Sequence, residues 1–133
     1  MLDYQYGDDA RQGATDIIIS LTPEEVRRLG VDAAVLADWF DTALWVLARL
    51  RNGHEMTAQD WHTAINDLDH RLLPRIEGIR DAVIRAHAAA GGSVGDLALA
   101  MDVPRSTAQY RREVLLAAPP GLWESWALSG GPE

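Results

Sequence analysis

The chain has 133 residues, 47% of them hydrophobic, no cysteine, and a formal net charge of -8. That length suits one domain, or one core with a small appendage, and the missing cysteines exclude disulfides and thiolate metal sites. The start, MLDYQYGDDARQG, lacks the basic head and apolar run of a signal peptide, and Asp38, Asp41 and Arg49 interrupt the longest apolar stretch, which excludes a membrane span.

The expectation is a soluble, cytoplasmic protein. Every basic residue is arginine and alanine is abundant, a bias expected of GC-rich coding DNA from a bacterium, its plasmid or its phage. The charge is uneven. Residues 1–72 carry six arginines against thirteen acids, and residues 73–133 carry six against seven. An acidic body repels nucleic acid at long range, so any such contact must be local.

In chain order, residues 1–14 show no periodicity and read as a mobile start. TDIIISL (15–21) is a β-branched run, read as one short strand or an extended arm. A lone strand needs a partner, which the same strand of a second subunit would supply; as an arm it would pack on the helices. TPEEVRRLG carries a full set of helix signals: Thr22 as N-cap, Pro23 in the first turn, Glu24 and Glu25 at the positive end, Gly30 as the stop. The next helix, from Asp32 to Asn52-Gly53, has an apolar stripe wider than one face, and so belongs in a core or a subunit interface. Thr57 with Asp60 forms a capping box for a third helix, on which Trp61, Ile65, Leu68 and Leu72 make a one-sided stripe. Pro74 is expected to break or kink the chain. Another helix follows, with Ile76, Ile79, Val83 and Ala86 inward and Gly91-Gly92 as its stop. The tail allows one short helix around Trp123 and Trp126 before a frayed end.

The segment SVGDLALAMDVPRSTAQYRRE is the one place where the charge reverses: residues 103–118 hold three arginines and one acid. Ser93 caps a short helix over Val94–Met101, a tight connection follows at Asp102-Val103, and Pro104 starts a second helix. Leu97, Ala98 and Met101 face inward, small Ala98 permits a close crossing, Val103 plugs the corner, and Ala108 and Leu115 point back to the core. LALAMDVPRSTAQYRR, with the helix of residues 76–90 before it, resembles the helix-turn-helix of bacterial transcriptional regulators over about a third of the chain. It departs at Asp102, where such turns usually hold glycine, and at Arg111, a position commonly apolar.

The expected fold is all-α, with a helical N-terminal part carrying a short strand or arm, followed by a C-terminal trihelical helix-turn-helix. It divides the chain into a start at 1–14, a helical dimerisation region at 15–72, a DNA-binding region at 75–117 and a tail at 118–133. The resemblance implies that the second helix enters the major groove of double-stranded DNA. The outward residues would then be Pro104, Arg105, Ser106, Gln109 and Tyr110. Arg105 suits guanine and Gln109 adenine. Ser106, Thr107 and Tyr110 offer hydroxyls to phosphates or base edges, Arg111 and Arg112 suit phosphates, and Ser93 opens a helix whose N–H groups can hold another.

One such motif binds weakly, so a homodimer is expected. Trp39 and Trp45, six residues apart, cannot face the same way, and one of them suits an interface. With Ile17, Ile19, Phe40 and Leu47 they form the candidate dimer surface. His62, Asn66 and His70 share a helix face, but the two histidines lie about 12 Å apart at 1.5 Å per residue, too far for one ion. The acidic pairs Asp38/Asp41 and Asp67/Asp69 come with no nucleophile or phosphate loop, so no enzyme activity, metal or cofactor is expected. The reading is a DNA-binding regulator whose effector and operator the sequence does not name. The alternatives are a protein-interaction module on the same scaffold and a plasmid or phage DNA-maintenance factor.

Overall fold

The computed structural model describes residues 1–53 and 55–130; His54, which carries no chemical signal, and the last three residues of the expected frayed tail lie outside them. The chain divides into two units, Met1–Val35 and Leu36–Glu133.

In the first unit, Leu2, Tyr4 and Tyr6 alternate with Asp3 and Gln5, the period of a strand. They form β1 (Leu2–Tyr6), which pairs antiparallel with β2 (Thr15–Ile19), Leu2 opposite Ile19 and Tyr6 opposite Thr15. The first 14 residues are therefore not the aperiodic start expected from their acids, and β2 finds its partner in its own chain rather than in a second subunit or on a helix. Cross-strand partners share a face, so Leu2, Tyr4, Tyr6, Ile17 and Ile19 line one side, and all of them are exposed. A single turn of 3₁₀ helix at Gly7–Asp9 opens the connection. Helix α1 (Pro23–Leu29) forms as its signals demand: the Thr22 hydroxyl accepts from the Glu25 N–H at 3.2 Å, and Gly30 ends it at φ 56°.

Helix α2 (Asp32–Asn52) carries on into the second unit, followed by α3 (Ala58–Ile65), a π-helical stretch (Asn66–Leu72) and α4 (Leu73–Ala89). These last three are one continuous rod, so Pro74 does not break it. Proline lacks an N–H and its ring collides with the carbonyl four residues back. The wider i→i+5 turn relieves both, and the Leu73 N–H reaches the Leu68 carbonyl. At the other end of the rod, the Thr57 hydroxyl accepts from the Asp60 N–H and the Asp60 carboxylate accepts from the Thr57 N–H, both at 3.1 Å.

The Thr57 N–H, with the Thr57 hydroxyl and the Arg49 guanidinium adding to it, holds the Asp60 carboxyl below the usual carboxylate range, against an opposing push from burial. A depressed folded pKa gives stability that is present above the unfolded pKa and lost as pH falls through the folded one. The thermal midpoint should therefore drop between about pH 5 and about pH 3. Melts followed by circular dichroism should show a shallower acid dependence in Asp60→Asn.

Three contacts set the direction of α2 against the rod. Arg49 pairs with Asp60 at 2.9 Å, the Thr42 hydroxyl donates to Asp67 at 2.7 Å, and the Arg75 guanidinium sits 4.6 Å from the Trp39 ring centroid. As one number rises the other falls, so the helices run antiparallel. Thr42, Val46 and Ala64 are buried along this seam.

Helices α5 (Val94–Met101) and α6 (Arg105–Ala117) pack on each other and α6 packs on α4. Their core is Leu97, Ala98 and fully buried Ala108, covered by Ile84, Val94, Met101 and Val103. Helix α7 (Leu122–Ser129) lies along α4 over Gly78 and Ala82, and there Arg85 forks onto Glu124 while also donating to the Leu115 and Ala118 carbonyls at 3.1 Å. The α4 face expected inward is not the one buried. Ile76, Ile79 and Val83 are 39%, 36% and 61% exposed and Ala86 is exposed as well, because α7 claims the small-residue side.

Candidate nucleic-acid interface

The site is built on the α5–α6 corner. Ser93 Oγ accepts from the Asp96 N–H at 3.0 Å and starts α5. Asp102 ends it in the left-handed conformation, φ 52° and ψ 49°. The Val103 N–H then reaches back to the Ala98 carbonyl at 3.1 Å and the Asp102 N–H to Leu99 at 3.2 Å, the two bonds of a Schellman stop. Aspartate tolerates this conformation better than most residues, so the turn forms without glycine. The α4–α5 turn ends the same way. Gly91 takes φ 85° and the Gly92 N–H bonds to the His87 carbonyl at 2.8 Å. A Cβ on Gly92 would meet the His87 ring at 2.2 Å, so a larger residue there would have to displace that ring.

With Ala108 at the bottom of α6, the 100° step per residue places Ser106, Tyr110 and Glu113 on the side facing away from the core, with Gln109 beside them. All four are exposed, as are Pro104, Arg105 and Arg111, while Thr107 is half-buried. The side chains of Arg105, Ser106, Tyr110 and Arg111 have no hydrogen bond or ion pair to the described residues. The arginines divide between the two edges of the helix. Arg105 and Arg112 lie towards the start of α5, where Arg112 donates to the Gly92 carbonyl at 2.8 Å. Arg111 lies on the other edge and, with Arg80, Met101 and Tyr110, lines an open groove of about 400 Å³, in which Arg80 pairs with Asp81 at 3.1 Å.

Three expected roles change in detail. Ser93 already spends its hydroxyl oxygen on its own cap. Arg112 staples α6 to the α4–α5 turn as well as sitting at the surface. Gln109 Nε2 donates to Glu113 Oε1 at 3.0 Å, so its amide is held by an acid that the sequence reading passed over. The i, i+4 spacing of Gln109 and Glu113 was the available signal. Arg80, from α4, was missed because nothing in the sequence says which side of α6 faces α4.

The residues expected to form a dimer surface belong to both units, Ile17 and Ile19 to the first and Trp39, Phe40, Trp45 and Leu47 to the second. Ile17 and Ile19 belong to the hairpin face. Trp39 is shared with Arg75, which also lies 4.2 Å from the Trp123 ring centroid, and Trp45 lies under Arg49 at 4.8 Å. Phe40 and Leu47 are 46% and 43% exposed. Among the described residues no cluster of three histidines or acids could hold a metal ion, and no helix is long and apolar enough to cross a membrane. No family model, curated protein or solved structure matches this chain.

Proposed function

We propose that the chain is a DNA-binding regulator that reads duplex DNA with α6 and acts as a homodimer. One observation carries this reading. A helix fixed by a packed three-helix core turns Ser106, Gln109, Tyr110 and Glu113 to solvent, with arginines along both of its edges. A helix of about 10–12 Å diameter fills a major groove about 12 Å wide. Arg105 and Arg112 on one edge, and Arg111 with Arg80 on the other, then meet the phosphates of the two strands. Ser106, Gln109 and Tyr110 point at the base edges, and Glu113 adds an acceptor suited to the amino group of cytosine. The uncapped start of α6 leaves N–H groups for one phosphate. The second reading, a protein-contact module, is favoured by the net charge of -8 and by Glu113 in the middle of the outward face.

The test is selection of bound duplexes from a random pool, followed by fluorescence anisotropy on the winner. Binding should weaken with salt. Arg105→Ala should cost roughly 10- to 100-fold, and Arg111→Ala should lower the salt slope by about one. Absence of any binding at low salt would remove the DNA reading and leave the protein-contact module.

A further inference from the structure

The α2 and α3–α4 hairpin is one layer thick on one side. Its seam contacts are Thr42, Val46 and Arg49 on α2, and Asp60, Ala64, Asp67 and Arg75 on the rod. In an antiparallel pair, the residue after each seam position turns about 100° to the same side on both helices, because the reversed direction cancels the reversed facing. Those residues are Ala43, Leu47 and Leu50 on α2, and Trp61, Ile65, Leu68 and Ile76 on the rod; all but the small Ala43 are large and apolar. Leu47, Leu50, Trp61, Ile65 and Ile76 are 43%, 59%, 48%, 62% and 39% exposed, and Leu68 is half-buried. Among the described residues no large side chain is completely buried. The most apolar side of this hairpin is thus the side nothing covers, and its seam is the polar one.

We infer that this face is covered by a second copy of the chain, through a two-fold four-helix bundle in which each protomer contributes α2 and the α3–α4 rod. The area fits. At the exposures above, the six large side chains leave on the order of 500 Å² of apolar surface, so two copies together would bury on the order of 1,000 Å², the area a specific interface must clear. The composition fits too. None of these six positions is charged, and the one charge in the shallow groove of Leu68, Leu72, Leu73 and Ile76 is the exposed Asp69, so two acidic chains meet here with a single carboxylate from each in that groove. A second copy supplies a face of the same length and apolarity, and two packed hairpins are a four-helix bundle. This assigns the interface to Trp61 and its stripe rather than to Trp39 or Trp45, whose rings already carry Arg75 and Arg49.

The inference deepens the homodimer reading, but its test needs no DNA, so the two stand or fall separately. Light scattering on the full chain at micromolar concentration should give twice the 14.6 kDa protomer mass. Ile65→Glu and Leu47→Glu should each halve it with unchanged helical circular dichroism, since both side chains are already exposed in the protomer. Ile17→Asp combined with Ile19→Asp should leave the dimer intact. A protomer mass for the wild type overturns the inference. So does a dimer that survives both helix substitutions, or one that is lost with the hairpin substitutions, which would place the contact on the β1–β2 face. Arg105→Ala should leave the mass unchanged, separating dimer formation from DNA contact.

Discussion

Replacing Gly78 with valine should lower the thermal midpoint by roughly 8–12 °C and release α7 from α4. A Cβ at this position would stand 2.5 Å from the carbonyl carbon and oxygen of Trp123. Both are backbone atoms, so no side-chain rotation relieves the clash and α7 must move. Overpacking of this kind costs about 2–3 kcal/mol, and each kcal/mol moves the midpoint of a chain this size by about 4 °C. The loss spreads, because Arg85 reaches through the same crossing to Glu124, which is 4% exposed, and to the last carbonyls of α6. Glu124→Ala should act in the same direction by leaving the Arg85 cation facing an empty socket. Tryptophan emission should shift to the red in both variants as Trp123 and Trp126 leave the Arg75 guanidinium. A midpoint within about 2 °C of wild type would mean that α7 does not depend on this contact.

The second large effect joins the two readings. Ile65→Glu should bind a two-site duplex about 100-fold more weakly than the wild type while binding a single half-site about equally well. In the dimer, the second α6 meets its half-site at an effective concentration in the millimolar range; in the protomer that gain vanishes and no DNA contact has changed. Anisotropy titrations of both duplexes at one salt concentration separate the cases. Equal losses on the two duplexes would show that the substitution damages α6 itself.

The parts of the fold legible in the sequence are those fixed by local chemistry. Thr22, Thr57 and Ser93 cap the helices they precede, Asp102 makes the turn, and Ala98 and Ala108 mark the close crossing of α5 and α6 by their size alone. The hairpin was harder to see. The alternation of Leu2, Tyr4 and Tyr6 is a strand signal, but Asp8 and Asp9 behind it and two glycines made the segment read as solvated chain. The orientation of α4 failed for a different reason. Periodicity finds an apolar stripe at Ile76, Ile79 and Val83, but it does not say whether that stripe or the Gly78–Ala82 side meets the rest of the chain. Here the smaller side won, because α7 needs close approach. At α6, the outward residues came from the helix-turn-helix resemblance, and the burial of Ala108 agrees with them. The tie between Gln109 and Glu113 and the reach of Arg112 to Gly92 depend on rotamers that spacing does not specify.

The wide turn before Pro74 gives the long rod a phase. Upstream of it, α3 meets α2 through Asp60 and Ala64; downstream, α4 meets α7 through Gly78 and Ala82. Removing one residue between 66 and 72 would leave every side chain chemically intact, yet would turn all of α4 by about 100° against α3. Hydrophobic substitutions along the rod should therefore be tolerated more readily than a change of length, and this stretch should be a poor place for insertions despite its exposed surface. The proline acts as a timing mark: it makes the wide turn the comfortable geometry at one place, and so sets the angle between the half of the rod that joins α2 and the half that carries α6.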